Sequence, residues 1–258
     1  MRRSAGAVMF RMVRAKPPHG WNAVAWELGI VTAGVLIALA AQQWAENRAV
    51  EQRTRLAKDA IRQELQEHYG YAYEFRVVAP CILAQIDMLE ERVMASGPRL
   101  MPSPRIRGYV NTNTVVMGPS KDYNSYAYDE AQGNGLVTGM GAETRHLLSQ
   151  HYGQMRSMRE VTRGNDIAYQ QLLVMTQPIA LDPSVRYSLL EKLSGLRGSV
   201  ELMDLIAGQL LDYIGRLNMV PTPQYARQVV TSYSTYKYCS RQKLPMRSFK
   251  DALVPLPN

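Results

Sequence analysis

Residues 28–41 (LGIVTAGVLIALAA) form an apolar run in which Thr32 is the only polar side chain. Between the two tryptophans that flank the run, Trp21 and Trp44, the segment is 24 residues long and carries a single charge, Glu27. About 20 helical residues cross the hydrocarbon core of a bilayer, and tryptophan prefers the two interfaces. We therefore predict a transmembrane helix over residues 21–44, held in the lipid bilayer by Trp21, Trp26, Glu27 and Trp44.

The charge ahead of this helix predicts its orientation. Residues 1–20 contain five basic residues and no acidic one, so they hold +5 of the formal net charge of +8. Basic residues next to a span stay on the cytoplasmic side. We expect a basic cytoplasmic leader, a single pass through the membrane and a remainder on the far side. Residues 21–258 have a net charge of only +3, which gives no reason to expect a nucleic-acid partner.

A cleaved signal peptide is the alternative to a retained signal anchor. The basic leader, the apolar run and Ala38-Leu39-Ala40 followed by Ala41 fit the small-residue pattern of a cleavage site. The long leader, Glu27 and the unbroken helical pattern beyond Ala41 favour the retained anchor. Both alternatives carry the rest of the chain across the membrane.

A stripe of apolar positions predicts one long packed helix beyond the membrane. Between residues 61 and 93 these positions follow an alternating four–three spacing, which places them on one helix face. The spacing keeps its register through Pro80, so we predict a kinked helix and not two separate ones. Residues 45–60 lack the stripe and carry mixed charges, which predicts a solvated helical stalk. The stripe consists of Ile61, Leu65, His68, Ala72, Phe75, Ala79, Ile82, Ile86, Leu89 and Val93.

The rest of the chain predicts more helices, with one exception. Residues 97–121 hold four prolines, four basic residues and no acidic one, and the run YVNTNTVV within them is β-prone. We expect a short extended or β-prone insertion there, either a solvated connection or a basic loop for an anionic ligand. Helices are predicted at about residues 122–131, 142–175, 183–193, 199–217 and 223–236, before a loosely held tail at residues 240–258.

The predicted fold class is therefore all-α. A transmembrane helix continues into the long kinked helix, which packs in an extracytoplasmic helical bundle over residues 61–239. Fifteen tyrosines against three phenylalanines are consistent with half-exposed core packing or with a tyrosine-lined binding surface.

Two segments, WELGIVTAGVLIALAAQQWAENR and YDEAQGNGLVTGMGAETRHLLSQHYGQM, carry a likeness to known proteins. A Glu before an apolar helix, an Asn- or Gln-Trp at its end, and a later helix–glycine turn–helix ending in paired aromatics are matched by Glu27, Gln43-Trp44, Gly135 and Tyr152. The chain thus resembles a broad family of uncharacterised bacterial single-pass membrane-anchored proteins with a domain of unknown function. The likeness covers about half of the chain and its motifs are structural. It implies a bacterial envelope protein, with its span in the inner membrane and the rest of the chain in the periplasm, and assigns no activity.

No pattern in the sequence predicts catalysis, a cofactor or a metal site. Glu143 and His146 have the E-x-x-H spacing of di-iron bundles, but such a site needs two of these pairs. Ser234 and Lys237 fit the S-x-x-K form of penicillin-recognising enzymes without its companion motifs. His68 lies on the apolar stripe, so we expect a hydrogen-bonded core histidine and not a ligand. We predict no enzyme, no cofactor and no metal.

Three functions from different classes remain. The first is a protein-binding or scaffold module of the bacterial envelope, whose partner is another envelope protein or a second copy of the chain. The second is a ligand-sensing bundle that signals through a partner. The third is an enzyme without a recognised motif, which has the least support because catalytic patterns are missing.

The two cysteines, Cys81 and Cys239, predict a disulfide bond. They are the only cysteines of the chain, and an oxidising periplasm preserves such bonds. Cys81 lies beside Pro80 in the stripe helix, and Cys239 follows the last predicted helix. The bond would close a loop of 158 residues, for which the chain-entropy model gives an upper figure of roughly 4–5 kcal/mol. Two unpaired thiols are the alternative.

Overall fold

The computed structural model describes residues 20–107 and 113–253. It is all-α, as predicted, and its helices are α1 (Trp21–Ala95), α2 (Tyr126–Gly133), α3 (Ala142–Leu172), α4 (Pro183–Arg216), α5 (Pro223–Ser232) and α6 (Ser234–Gln242). Short 3-10 helices lie at Leu136–Met140, Leu173–Thr176 and Asp251–Leu253. The strands form two antiparallel pairs, β1 (Arg99–Leu100) with β4 (Ile179–Ala180) and β2 (Ile106–Arg107) with β3 (Asn113–Thr114).

The chain divides into two units, Met1–Gln52 and Arg53–Asn258. In the first unit, residues 21–52 are helical and exposed apart from the half-buried Ala23. This part of α1 is long and apolar enough to cross a membrane, and its most apolar window is not buried within the protein at all. The long apolar helix is therefore confirmed. Most of the predicted leader, residues 1–19, lies outside the described part of the chain.

The second unit is built around the continuation of α1. All ten positions of the predicted stripe are buried, and α1 runs unbroken through Pro80. Between residues 68 and 82 the helix is buried on almost every side, so it is the central element of the bundle. α3 and α4 pack against each other beside it. The predicted single helix is confirmed. Its apolar stripe, residues 61–93, is buried on both sides of Pro80, so packing favours continuation of the helix through the proline.

α4 differs from its prediction, which placed separate helices at residues 183–193 and 199–217. It is one helix that passes through Gly195 and Gly198. A glycine inside a helix costs about 1 kcal/mol relative to alanine, whereas burying one leucine or valine contributes about 1.5–3 kcal/mol. Apolar side chains are buried on both sides of the glycines, so packing outweighs local propensity. They are Leu193, Leu196 and Val200.

The C-terminal helices also differ from the single helix predicted up to about Tyr236. α5 and α6 are separated by Tyr233, whose backbone is extended (φ −73°, ψ 149°). The break lets the Tyr233 ring lie over the ammonium of Lys121, with 3.0 Å between Nζ and the ring centroid. It also brings α6 against α1. Tertiary contacts of this kind override the helical pattern of the local sequence.

The tail differs from the loosely held segment predicted at residues 240–258. The guanidinium of Arg247 donates to both carboxylate oxygens of Asp204 at 2.8 Å. Its backbone amide donates to the carbonyl of Val77 at 2.9 Å. Polar partners inside the bundle therefore fix this segment as far as it is described, to residue 253. Sequence periodicity cannot reveal such partners, because they lie on distant elements.

A buried polar network lies between α1 and α3. Nε2 of His68 is 3.0 Å from the carbonyl oxygen of Asn124, and its Nδ1 is 3.0 Å from Nε2 of His151. A carbonyl only accepts, so the neutral His68 ring carries its proton on Nε2 and accepts from the Nε2–H of His151. Beside this pair the Tyr152 hydroxyl donates to Glu64 at 2.5 Å. The prediction that His68 is a hydrogen-bonded core histidine is confirmed.

Acid should destabilise the bundle through the two histidines. Burial lowers the pKa of His68 to about 4 from its usual 6.5. Burial, together with His68, lowers the pKa of His151 well below its usual value. As the pH falls below 6.5, the unfolded chain binds protons that the folded chain does not, so the free energy of unfolding decreases. For His68 alone the expected loss by pH 4 is roughly 3 kcal/mol.

Substitution His68→Gln tests this pH dependence. Urea unfolding of the full chain, followed by far-UV circular dichroism, gives the free energy of unfolding at about pH 7.5 and about pH 4. The advantage of wild type over the variant should shrink by roughly 3 kcal/mol between these two pH values. His146→Gln, at an exposed position on α3, is the matched control and should leave the pH dependence unchanged. Parallel pH profiles for wild type and His68→Gln would contradict the prediction.

Candidate functional site

Side chains of α1 fix the basic segment 97–121 along that helix. Gln85 donates from Nε2 to the carbonyl of Met117 at 3.1 Å and accepts from the Met117 amide at 2.7 Å. About two turns further along α1, the guanidinium of Arg92 donates to two carbonyls of the segment at 2.8 and 2.7 Å. These bonds satisfy backbone groups of the segment that lie outside its short strands and so have no partner in a sheet. In its described parts, residues 97–107 and 113–121, the basic segment is therefore held in place as one wall of a cleft.

α6 forms the opposite wall, and the two cysteines connect it to α1. Cys81 and Cys239 are both buried, their sulfurs are at bonding distance, and their Cα atoms are 6.0 Å apart. The predicted proximity is confirmed. Cys81 precedes Gln85 by one helical turn, and Gln85 Nε2 lies 3.5 Å from the Cys81 sulfur. The cysteine pair and the glutamine therefore hold the two walls at the same level of α1.

The cleft between the walls has two lobes. The first, the apolar lobe, has a volume of about 580 Å³, and the second, the polar lobe, about 700 Å³. Both volumes fall within the roughly 300–1,000 Å³ of small-molecule sites. Arg107, Tyr238 and Arg241 line both lobes and so lie at their junction. The apolar lobe is otherwise lined by Gln85, Met88, Leu89, Arg92, residues 103–106, Val115, Gln242 and Leu244, and the polar lobe by Tyr71, Met117, residues 119–122, residues 232–235 and Lys237.

The cleft is strongly basic. Four arginines line the apolar lobe, and none of the described residues around it is acidic. Around the polar lobe, Asp122 is the one acidic side chain against four basic ones in the described part of the chain. Arg105, Arg107, Lys237 and Arg241 are exposed, and none has an ion-pair partner within residues 20–107 and 113–253. An anion in the cleft would meet cations that no neighbouring carboxylate neutralises.

Lys121 differs from these cations because its charge is compensated inside the protein. Its Nζ lies 3.0 Å from Oε2 of Glu74 and faces the ring of Tyr233. Burial raises the pKa of Glu74 to about 7, against the opposing effects of Lys121 and of the Tyr236 backbone. Burial likewise lowers the pKa of Lys121, against the effect of Glu74. Lys121 of this pair lines the polar lobe, Glu74 is fully buried, and the exposed cations remain for a ligand.

The four predicted anchor residues are all exposed in the first unit. The exposed fractions of Trp21, Trp26 and Trp44 are 90%, 53% and 63%, and Glu27 is exposed as well. By length and composition, this part of α1 is a candidate membrane span. The positions of these side chains at the two membrane interfaces stay a prediction.

The residues considered for chemistry do not assemble into a metal site. Within the described part of the chain, no group of three or more His, Cys, Asp or Glu residues could hold a metal ion. Glu143 and His146 are exposed on α3. Ser234 and Lys237 lie at the start of α6 and line the polar lobe. The S-x-x-K spacing therefore marks a helix end beside the cleft.

The sequence alone did not reveal the α6 side of the cleft. Tyr238 and Arg241 lie far from Arg107 along the chain, and the S-x-x-K pattern in α6 gives no indication of a cleft. The cysteines are the available signal, because a bond between Cys81 and Cys239 places the neighbours of both together. Combined with the basic composition of residues 97–121, that bond would have indicated where the cleft forms.

Comparisons of the chain with protein-family models, with curated proteins and with solved structures find no match. The family resemblance carried by Glu27, Gln43-Trp44, Gly135 and Tyr152 stays a prediction. The function is therefore inferred from the cleft and its charge.

Proposed function

We propose that this chain is a single-pass inner-membrane protein whose periplasmic helical domain binds an anionic ligand in the basic cleft. Of the three functions that the sequence leaves open, the ligand-binding bundle is the one that the cleft favours. The observation that carries the proposal is the set of four exposed cations without ion-pair partners in the described part of the chain, Arg105, Arg107, Lys237 and Arg241. They surround a cavity of ligand size.

The distribution of charge supports this function. Residues 21–258 have a net charge of only +3, so a local excess of cations is not a property of the whole surface. Like charges placed together repel one another and destabilise the free protein. A bound anion removes that repulsion, so the cations of the cleft favour an occupied state.

The membrane location rests on three observations. The leader carries five basic residues and no acidic one. The first unit contains a helix apolar enough to span a bilayer. The cysteines Cys81 and Cys239 are placed for a disulfide, which persists in oxidising compartments such as the periplasm.

Neutralising the junction of the two lobes should remove most of the affinity for an anion. Hydrogen bonds to charged groups contribute about 1.5–3 kcal/mol each, so losing two of them corresponds to at least about a hundredfold in affinity. The test is calorimetric titration of inorganic pyrophosphate into the full chain in phosphatidylcholine nanodiscs at low ionic strength. Arg107→Gln with Arg241→Gln should weaken binding about a hundredfold.

A variant with the same change in net charge is the control. Arg163→Gln with Lys250→Gln removes two exposed cations outside the cleft and should leave pyrophosphate affinity within about twofold, because screened distant charges contribute little. Equal losses in the two double variants would indicate a general charge effect and would refute the cleft as the site. Absence of pyrophosphate binding to wild type would have the same consequence.

A further inference from the structure

We infer that the ligand of the cleft is a single-chain anionic amphiphile, with its acidic head between Arg107 and Arg241 and its hydrocarbon chain in the apolar lobe. This inference rests on the proposed function and specifies the chemistry of its ligand. It follows from the unequal lining of the two lobes and from the position of the two arginines where the lobes meet.

The apolar lobe offers a surface for a hydrocarbon chain. Its wall includes five apolar side chains, contributed by α1, by the basic segment and by the residue that follows α6 closely: Met88, Leu89, Ile106, Val115 and Leu244. Met88 is 60% exposed although it lines a cavity. Methionine adapts its shape to apolar ligands, and an exposed one beside a cavity is available for such contact.

The basic residues define where the head lies. Arg107 and Arg241 border both lobes, so an acidic group between them has the apolar lobe on one side and the polar lobe on the other. Arginine binds carboxylate and phosphate through paired hydrogen bonds. Ser120 and Ser234 line the polar lobe and offer hydroxyl groups to water or to a polar part of the ligand.

The charge of the apolar lobe excludes the opposite type of amphiphile. Arg92 and Arg105 add two more cations to those at the junction, and the described residues around this lobe include no acid. A cationic amphiphile would be repelled, and a neutral one would bring no negative charge to Arg107 and Arg241 at the junction. The apolar wall and the basic rim are satisfied together only by a hydrocarbon with an acidic end.

Alkyl phosphates of increasing length test the inference. Methyl, butyl, hexyl and octyl phosphate are titrated into the full chain in phosphatidylcholine nanodiscs, with empty nanodiscs as the blank. Each methylene removed from water contributes about 0.8 kcal/mol, which is about fourfold in affinity. We expect affinity to rise by up to fourfold per methylene until the lobe is filled. Equal affinities across the series would overturn the inference.

Variants of the apolar wall test the hydrocarbon chain of the ligand separately from its acidic head. Met88→Gln with Ile106→Thr should lower octyl phosphate affinity about tenfold and leave methyl phosphate and pyrophosphate affinities unchanged. Met94→Gln, at a position of α1 that is 63% exposed and does not line the cleft, is the matched control. If pyrophosphate binds but octyl phosphate binds no better than methyl phosphate, the amphiphile is refuted and the anion site stands. If pyrophosphate does not bind either, both are refuted.

Nanodiscs that contain lysophosphatidylglycerol, a single-chain anionic lipid, distinguish two sources of the same chemistry. An anionic lipid of the bilayer that reaches the cleft would compete with octyl phosphate and raise its apparent Kd in these nanodiscs. An unchanged Kd would identify the ligand as an amphiphile taken from solution. Dodecanoate is a single-chain amphiphile with a carboxylate head. If it fails to displace octyl phosphate, the site does not bind anionic amphiphiles in general but only those with a phosphate head.

Discussion

Replacing both cysteines, Cys81→Ala and Cys239→Ala, is expected to lower the free energy of unfolding of the helical domain by as much as about 4–5 kcal/mol. The bond closes a loop of 158 residues, and opening so long a loop restores much entropy to the unfolded chain. Urea unfolding of the full chain in nanodiscs gives the difference. Far-UV circular dichroism is the appropriate signal, because all three tryptophans lie within residues 21–44.

Reduction of the wild-type protein is the matching experiment. A reductant should bring wild type close to the double variant and should leave the double variant unchanged. In protein isolated from native membranes, peptides containing Cys81 and Cys239 should be linked in non-reducing mass spectrometry. Alkylation of both thiols without prior reduction would refute the bond and would also argue against a periplasmic domain.

Substitution Asp204→Asn should cost about 3–5 kcal/mol. The carboxylate of Asp204 is buried on α4, where it accepts from Arg76 at 3.2 Å and from Arg247 at 2.8 Å. Arg76 is 1% exposed, so the substitution removes the negative charge that faces a buried cation. Breaking a buried pair from one side is more costly than never forming it, because the remaining charge stays away from water.

Asp212→Asn on the same helix is the control for this effect. Asp212 and Arg216 form an exposed pair at 4.0 Å, and such pairs contribute about 0–1 kcal/mol. The combined change Arg76→Met, Asp204→Leu and Arg247→Met should recover most of the stability, because apolar side chains of similar volume replace a buried ionic triad well. Equal losses for Asp204→Asn and Asp212→Asn would show that Asp204 is not the point at which the tail is fastened.

The parts of the fold that depend on local pattern could be predicted from the sequence. The stripe from Ile61 to Val93 encodes a buried helix face, because every fourth or third residue meets the same neighbours. Residues 28–41 encode their apolar helix by composition. The two cysteines indicated a long-range contact, because pairing is a property of residue type and needs no periodicity.

The parts that depend on distant partners could not be predicted. Helix α4 continues through Gly195 because leucines on either side find a core, and the glycine itself signals the opposite. The helical conformation is interrupted at Tyr233, whose ring packs over Lys121, more than a hundred residues earlier in the sequence. The cleft is formed by such distant pairs, so its basic segment was recognisable and its second wall was not.

The contacts of the C-terminal segment with α1 have a consequence for biosynthesis. The carbonyl of Arg76 accepts from Arg247, and the hydroxyl of Tyr73 donates to Phe249, across sequence separations of 171 and 176 residues. The middle of α1 thus leaves the ribosome long before Arg247 and Phe249, which contact it in the folded protein. Contacts of such high separation form late in folding. The native arrangement around α1 can therefore be reached only after translation has passed residue 249, and a growing chain must remain soluble in an open form until then.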